Sequence, residues 1–114
     1  MQLSKFHFKE AKIDIQTAGV KMNSYLKNKV ESMIRNLLVA YPKVTGIDIY
    51  FKGTEGNVLG PRTVTVRVGI PGPDVVASDS EFRWKIALKN VEKKLVRQLE
   101  KKRSAAGKQT LAES

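Results

Sequence analysis

Residues 63–70 alternate strictly between β-branched apolar side chains and polar or small ones. Successive side chains of a strand point to opposite faces, so Val64, Val66, Val68 and Ile70 share one side of an extended chain. This pattern favours a strand with one buried face and one wet face. A strand of this kind cannot bury its apolar face alone, and the chain must therefore form a sheet covered on one side.

Three other segments are predicted as strands of the same sheet. Residues 13–15 and 47–51 alternate apolar and polar side chains, and residues 75–78 follow the turn-forming segment 71–74, Pro-Gly-Pro-Asp. The segment 53–61 contains three glycines and a proline. We expect a long hairpin loop there.

Two segments carry apolar residues at spacings of three and four, the pattern of amphipathic helices. The first helix is predicted to be capped by Asn23 or Ser24 and to end at Pro42. The last is predicted to be capped by Asp79 or Ser80 and to continue to about residue 103. The predicted order is β-α-β-β-β-α. We expect an α+β two-layer sandwich, in which both helices cover one face of a four-stranded sheet.

The composition is that of one soluble globular domain, with 114 residues, 41% hydrophobic and 28% charged. We expect a domain over residues 11–103, preceded by an N-terminal extension over 1–10 that either lengthens the first strand or is loose. Residues 104–114 are predicted as a flexible tail. The longest apolar run, 37–41, is too short for a membrane span, and no apolar segment typical of a signal peptide is present. We therefore expect a cytoplasmic protein with no membrane partner.

Catalysis is not favoured by the residues available. The chain has no cysteine, which excludes disulfides, thiolate zinc sites and a cysteine nucleophile. The single histidine, His7, is predicted to be inert, and the glycines of 53–60 lack the Lys-Ser/Thr ending of a phosphate-binding loop. The carboxylates of strands and turns are scattered and not paired for acid–base work: Asp48, Glu55, Asp74 and Asp79. We predict no enzyme, no cofactor, no metal and no small-molecule substrate.

The charge is strongly positive and concentrated. Twenty-one Lys and Arg against eleven Asp and Glu give a net charge of +10. Residues 81–103 hold nine basic and three acidic residues, which is more than half of the surplus. A concentrated excess of this size indicates a polyanionic partner, and nucleic acid is the commonest one.

The basic residues of the last helix recur at spacings of three and four outside its apolar stripe. Like charges at these spacings weaken a helix by a few tenths of a kcal/mol per pair, so the pattern favours phosphate binding over a merely solvated face. The predicted RNA-binding residues are Lys85, Lys89, Lys93, Lys94, Arg97 and Lys101. On the first helix Lys27, Lys29 and Arg35 either extend this surface or are solvated. Trp84 is predicted to belong to the core, and Tyr50 to the wet face of a strand.

Within the last helix, Lys94-Leu95-Val96-Arg97-Gln98-Leu99 resembles the Lys-Leu-x-Arg-Gln-Leu ending found in the ribosome hibernation-promoting factors, the family of ribosome-associated inhibitor A. Residues 72–77 stand where that family enters its fourth strand, and residues 13–16 match its first strand. The resemblance covers roughly residues 11–103. It departs from the family at residues 83–85, Arg-Trp-Lys, where the family has Asp-Met-Tyr.

The resemblance implies a fold akin to double-stranded RNA-binding domains and a partner, the small ribosomal subunit with its rRNA. It further implies that translation is blocked under stress or in stationary phase by occupancy of the channel for messenger and transfer RNA. The six basic residues of the last helix, with Lys27 and Arg35, would then contact rRNA. Two alternatives remain: a generic double-stranded RNA-binding or ribosome-assembly protein, and a protein-interaction domain that docks its basic helix on an acidic partner.

Overall fold

The structure, a computed structural model, describes residues 2–8, 11–18, 21–53 and 60–113 of the chain. This part of the chain forms five strands and two helices: β1 (Gln2–Phe8), β2 (Ala11–Ala18), α1 (Ser24–Ala40), β3 (Gly46–Lys52), β4 (Arg62–Gly69), β5 (Val75–Glu81) and α2 (Trp84–Glu113). The sheet has the order β1-β2-β3-β4-β5. Strands β2 and β3 are parallel and the other neighbours antiparallel. From β2 to α2, the predicted order β-α-β-β-β-α is confirmed.

The sheet has one strand more than the four predicted. Strand β1 pairs with the whole of β2, from Gln2 opposite Thr17 to Phe8 opposite Ala11. Without β1, the outer backbone groups of β2 would form an open edge, and an adjacent segment with an extended pattern can pair with them. Neither possibility predicted for the N-terminal extension describes this arrangement, since residues 2–8 form a separate antiparallel strand and do not lengthen the first one.

One face of the sheet is buried beneath both helices. Along the register, Ile13, Ile47, Val68 and Val75 lie side by side on neighbouring strands. The buried side chains of these strands, of α1 and of α2 form a single apolar cluster. Both helices consequently cover the same face, as predicted, and the opposite face of the sheet is open.

Helix α1 begins and ends as its sequence indicates. Asn23 is the N-cap, and its Oδ1 accepts a hydrogen bond of 2.8 Å from the backbone N–H of Leu26. At the other end, the N–H of Tyr41 donates to the carbonyl of Leu37 at 2.9 Å. Pro42 follows directly and cannot donate the next backbone hydrogen bond of a helix.

The predicted caps of the last helix, Asp79 and Ser80, are wrong. Strand β5 continues to Glu81, and the first hydrogen bond of α2 runs from the N–H of Ala87 to the carbonyl of Arg83 at 3.1 Å. The Ser80 hydroxyl instead shares a 2.8 Å hydrogen bond with Thr63 on β4. Side chains typical of a helix cap are thus used within and beside the sheet, because tertiary partners compete with local capping.

The predicted end of the last helix near Arg103 is also wrong, since α2 continues to Glu113. The added segment is rich in good helix formers, and Gly107 costs only about 1 kcal/mol relative to Ala. Thirty residues give a helix of about 45 Å, in a molecule that measures 58 × 25 × 21 Å. Residues 100–105 are all exposed, so α2 leaves the core after Leu99. The flexibility predicted for residues 104–114 stays a prediction.

Candidate nucleic-acid interface

The outer surface of the helical layer carries the predicted RNA-binding residues. The buried residues of helix α2 are three or four positions apart: Ala87, Leu88, Val91, Leu95 and Leu99. Because they share one side of the helix, the residues between them point away from the sheet. All eight predicted side chains are exposed: Lys27, Arg35, Lys85, Lys89, Lys93, Lys94, Arg97 and Lys101. The structure nevertheless divides them into groups with different surroundings.

The first group lines a groove between the two helices. Lys29 of α1 faces Lys85 and Lys89 of α2 across a depression of about 310 Å³. Asn36 and Glu92 cross its floor, where the Asn36 amide donates to the Glu92 carboxylate at 3.4 Å. Three ammonium groups around a groove concentrate positive potential, which suits a phosphate backbone. Lys29 thus lines the groove, although the family resemblance carried over only Lys27 and Arg35 on α1.

The second group lies further along α2. Lys93, Arg97 and Lys101 form no hydrogen bond or ion pair with any residue that the structure describes. Their charges are therefore available to a partner. Because Val91, Leu95 and Leu99 anchor the helix beneath Lys93 and Arg97, these two cations stand on a rigid support.

Lys94 differs from its neighbour Lys93. Its ammonium donates to the backbone carbonyl of Ser78 at 3.0 Å and to the Asp79 carboxylate at 3.4 Å, so it ties α2 to β5. Asp79 also accepts a 2.9 Å hydrogen bond from Asn90. Part of the Lys94 charge is thus neutralised within the fold. The sequence predicted that Lys94 belongs with the other cations of α2, but in the structure it is paired, whereas Lys93 has no partner among the described residues.

The two remaining predicted residues lie on α1, outside the groove lining. The guanidinium carbon of Arg35 is 5.8 Å from the ring centroid of Phe8, so Arg35 is directed toward β1 at the edge of the sheet. Lys27 is exposed on the first turn of α1. The structure does not bring these two together with the cations of the groove.

The start of α2 is anchored by aromatic packing. The Trp84 ring meets Phe51 edge-on, with centroids 5.4 Å apart and planes at 77°. Trp84 is half-buried and packs against the core, which confirms its predicted role.

Two residues before Trp84, the side chain of Phe82 is exposed. The sequence pattern does not single out Phe82, because it predicts residues 79–83 to be helical. In such a helix Phe82 would lie opposite the apolar stripe, and this position could have indicated its exposure.

The open face of the sheet carries a carboxyl pair that the sequence did not predict. Asp14 and Asp48 are directly adjacent in the parallel register of β2 and β3. Burial raises the pKa of the Asp48 carboxyl, and Asp14 raises it further through a hydrogen bond and its negative charge. The sequence did not predict this pair, because residues far apart in sequence become neighbours only in the sheet.

The described residues include neither a metal-binding group nor a membrane-spanning helix. No three His, Asp or Glu side chains among them come together as a metal-binding group. Neither described helix is long and apolar enough to cross a membrane. The groove between the helices and the exposed cations of α2 form a basic surface, whose chemistry suits an anionic ligand.

The architecture defines an α+β class in which a β-α-β-β-β-α unit places both helices on one face of the sheet. A ribosomal subunit interface protein from Coxiella burnetii has this fold, with a TM-score of 0.69 and 22% identity over 81% of this chain and 97% of that one. The N-terminal domain of Protein Y from Thermus thermophilus is similar, with a TM-score of 0.65 and 14% identity over 76% of this chain and 92% of that one. Comparison with protein-family models and with curated proteins gives no match. The two structures confirm the fold that the family resemblance predicted.

Proposed function

We propose that this protein binds the small ribosomal subunit through rRNA and inhibits translation by occupying the channel for messenger and transfer RNA, in the cytoplasm under stress or in stationary phase. The observation that carries the proposal is a basic helical face on the fold of a ribosomal subunit interface protein. The hexapeptide at residues 94–99 and its resemblance to the hibernation-promoting factors support the same partner.

The proposed mechanism is occupancy without chemistry. The cations of α2 and the groove neutralise rRNA phosphates and release their counterions, which supplies salt-dependent affinity. The rigid helix fixes their spacing, so the domain binds in one orientation and excludes other ligands from its site. A steric inhibitor needs no catalytic group or cofactor, and we propose that the protein is not an enzyme.

Cell-free translation tests the proposal. Purified protein is expected to inhibit synthesis and to cosediment with small subunits, and an excess of initiator transfer RNA with message is expected to relieve both effects. A variant with Lys89, Lys93 and Arg97 changed to Gln is expected to lose inhibition. The matched control changes Lys12, Lys52 and Arg67 on the open face of the sheet to Gln, which removes equal charge and is expected to leave inhibition intact.

Other results would replace the proposal with one of its alternatives. Equal affinity for free duplex RNA and for small subunits would indicate a generic RNA-binding module. Association that survives complete RNase digestion would indicate an acidic protein partner. Inhibition unaffected by the competitors would place the protein at another site on the ribosome.

A further inference from the structure

An exposed aromatic side chain precedes the first turn of α2. Phe82, in the connection between β5 and α2, has 67% of its surface exposed, and Ile86 in the first turn of α2 has 43% exposed. Full burial of such a side chain contributes about 1.5–3 kcal/mol to folding. Phe82 makes little use of that contribution, so its aromatic ring is available to a ligand.

The backbone that carries Phe82 is held to the core. The Arg62 guanidinium donates a hydrogen bond to the Phe82 carbonyl. The same guanidinium carbon lies 5.9 Å from the ring centroid of Trp84, whose ring packs edge-on against the buried Phe51. This chain of contacts fixes the position from which Phe82 projects. A ring presented from an ordered backbone loses less conformational entropy when it binds.

The surroundings of Phe82 are cationic. Arg83 follows it directly, Lys85 lies two residues further on, and both are exposed. Lys85 and Lys89, one turn apart on α2, line the groove between the helices, and Lys29 of α1 lines its other side. An aromatic ring next to cations is the combination that binds single-stranded nucleic acid, because the ring stacks on a base while the cations bind the flanking phosphates.

We propose that Phe82 stacks on an unpaired RNA base, supported by Ile86, while the neighbouring cations Arg83 and Lys85 bind the adjacent phosphates. The inference rests on the proposed function and deepens it, since it assigns a single-stranded segment of RNA to this end of the interface. A duplex offers phosphates but keeps its base faces stacked, and unpaired bases are what aromatic side chains contact in RNA. The preferred ligand is therefore single-stranded.

The test measures binding of two probes, small ribosomal subunits and a ten-nucleotide single-stranded RNA of mixed sequence. Phe82→Ala is expected to weaken both complexes about 5- to 150-fold, the loss associated with one base–aromatic stack. The salt dependence of binding is expected to stay unchanged, because no charge is removed. Phe82→Tyr is expected to retain most of the affinity. The matched control is Val39→Ala on α1, where Val39 is 74% exposed outside the interface, and it is expected to bind normally.

A second measurement detects stacking directly. Phe82→Trp is expected to show quenched fluorescence when the single-stranded RNA binds, after subtraction of the signal of the parent protein, which contains Trp84. The duplex form of the same sequence is expected to quench it much less. Phe82 is exposed, so the variants are expected to unfold at the temperature of the parent chain.

Three results would overturn the inference. If Phe82→Ala bound both probes with the affinity of the parent protein, Phe82 would have no role in binding. The proposed function would stand in that case, because both proteins would still bind ribosomes. Loss of ribosome binding alone, with normal binding to the oligonucleotide, would assign Phe82 to a protein contact. Equal quenching by duplex and single strand would remove the preference for an unpaired base. If the parent protein bound the oligonucleotide through Phe82 and did not bind ribosomes, the stacking proposal would stand and the proposed function would fail.

Discussion

The two outer faces of this small domain are both rich in charged side chains, but they arrange them differently. On the open face of the sheet cations and carboxyls are mixed: Arg67 lies 2.8 Å from the Asp74 carboxylate, and Asp48 is next to Asp14. On the helical face, Lys93 and Arg97 have no ion-pair partner among the residues that the structure describes. The two faces therefore differ in how their positive charges are balanced.

Two pairs of hydroxyl groups form hydrogen bonds across the strands of the sheet face. The hydroxyls of Thr63 and Ser80 share a bond of 2.8 Å, and those of Thr65 and Ser78 one of 2.9 Å. Such cross-strand pairs stabilise a sheet. The unmatched cations of α2 do the opposite, since like charges one turn apart weaken a helix. Fold stability does not account for the unmatched cations of the helical face, and the proposed binding of RNA would.

The largest expected effect concerns the core beneath both faces. Leu95 of α2 is fully buried, and Leu95→Ala is expected to lower the free energy of unfolding by about 2–5 kcal/mol through the cavity it leaves. Urea denaturation measures this loss. Molecules that remain folded are expected to keep the parental salt dependence of RNA binding. A loss below about 1 kcal/mol would show that α2 is not packed against the sheet as described.

An intermediate effect separates two adjacent lysines of α2. Lys93→Gln is expected to flatten the log–log salt dependence of ribosome binding by about one unit, with unchanged stability, because it removes one phosphate contact. Lys94→Gln is expected to leave the slope nearly unchanged and to lower stability by about 0.2–1 kcal/mol, since its partly exposed ion pair with Asp79 is lost. Salt titrations and thermal unfolding of both variants check this. The reverse order would mean that Lys94, not Lys93, meets the RNA.

The smallest expected effect lies on the open face. The pKa of Asp48 is raised above 3.8 in the folded chain, so the folded state holds this proton more tightly and loses stability as the pH rises through the raised pKa. Asp48→Asn is expected to stabilise the protein at pH 7 by a few tenths of a kcal/mol, because it removes a negative charge that burial and the neighbouring Asp14 both disfavour. Melting temperatures from pH 3 to 7 test this. The gain is expected to vanish at acidic pH, and a gain that grows on acidification would contradict the assignment.

Much of the fold could be predicted from the sequence because its strands and helices bury one face each. Period-two and helical patterns identified β2 to β5 and both helices, and the alternation at Val64, Val66 and Val68 correctly indicated the buried face. Their boundaries were less secure. Ser80 suits a helix cap and a cross-strand pair equally well, and only the proximity of Thr63 in the folded sheet decides between them.

The candidate site could be predicted as a set of residues but not as an arrangement. Spacing alone placed the lysines outside the apolar stripe of α2. It could not show that Lys29 and Lys85 line one groove, or that Lys94 is tied to Ser78, because both facts depend on how α2 packs against α1 and β5. The pairing of Asp14 with Asp48 likewise requires the register of two distant strands.

The most direct test of the central claim is the salt dependence of binding to small ribosomal subunits. Five phosphate contacts would give the parent a log–log slope of roughly −3 to −5. The variant with Lys89, Lys93 and Arg97 changed to Gln is expected to flatten this slope by about two to three units. The sheet-face variant with Lys12, Lys52 and Arg67 changed to Gln is expected to keep it. If the helical variant retained the parental affinity and slope, or if both variants changed equally, the helical face would be only a solvated surface.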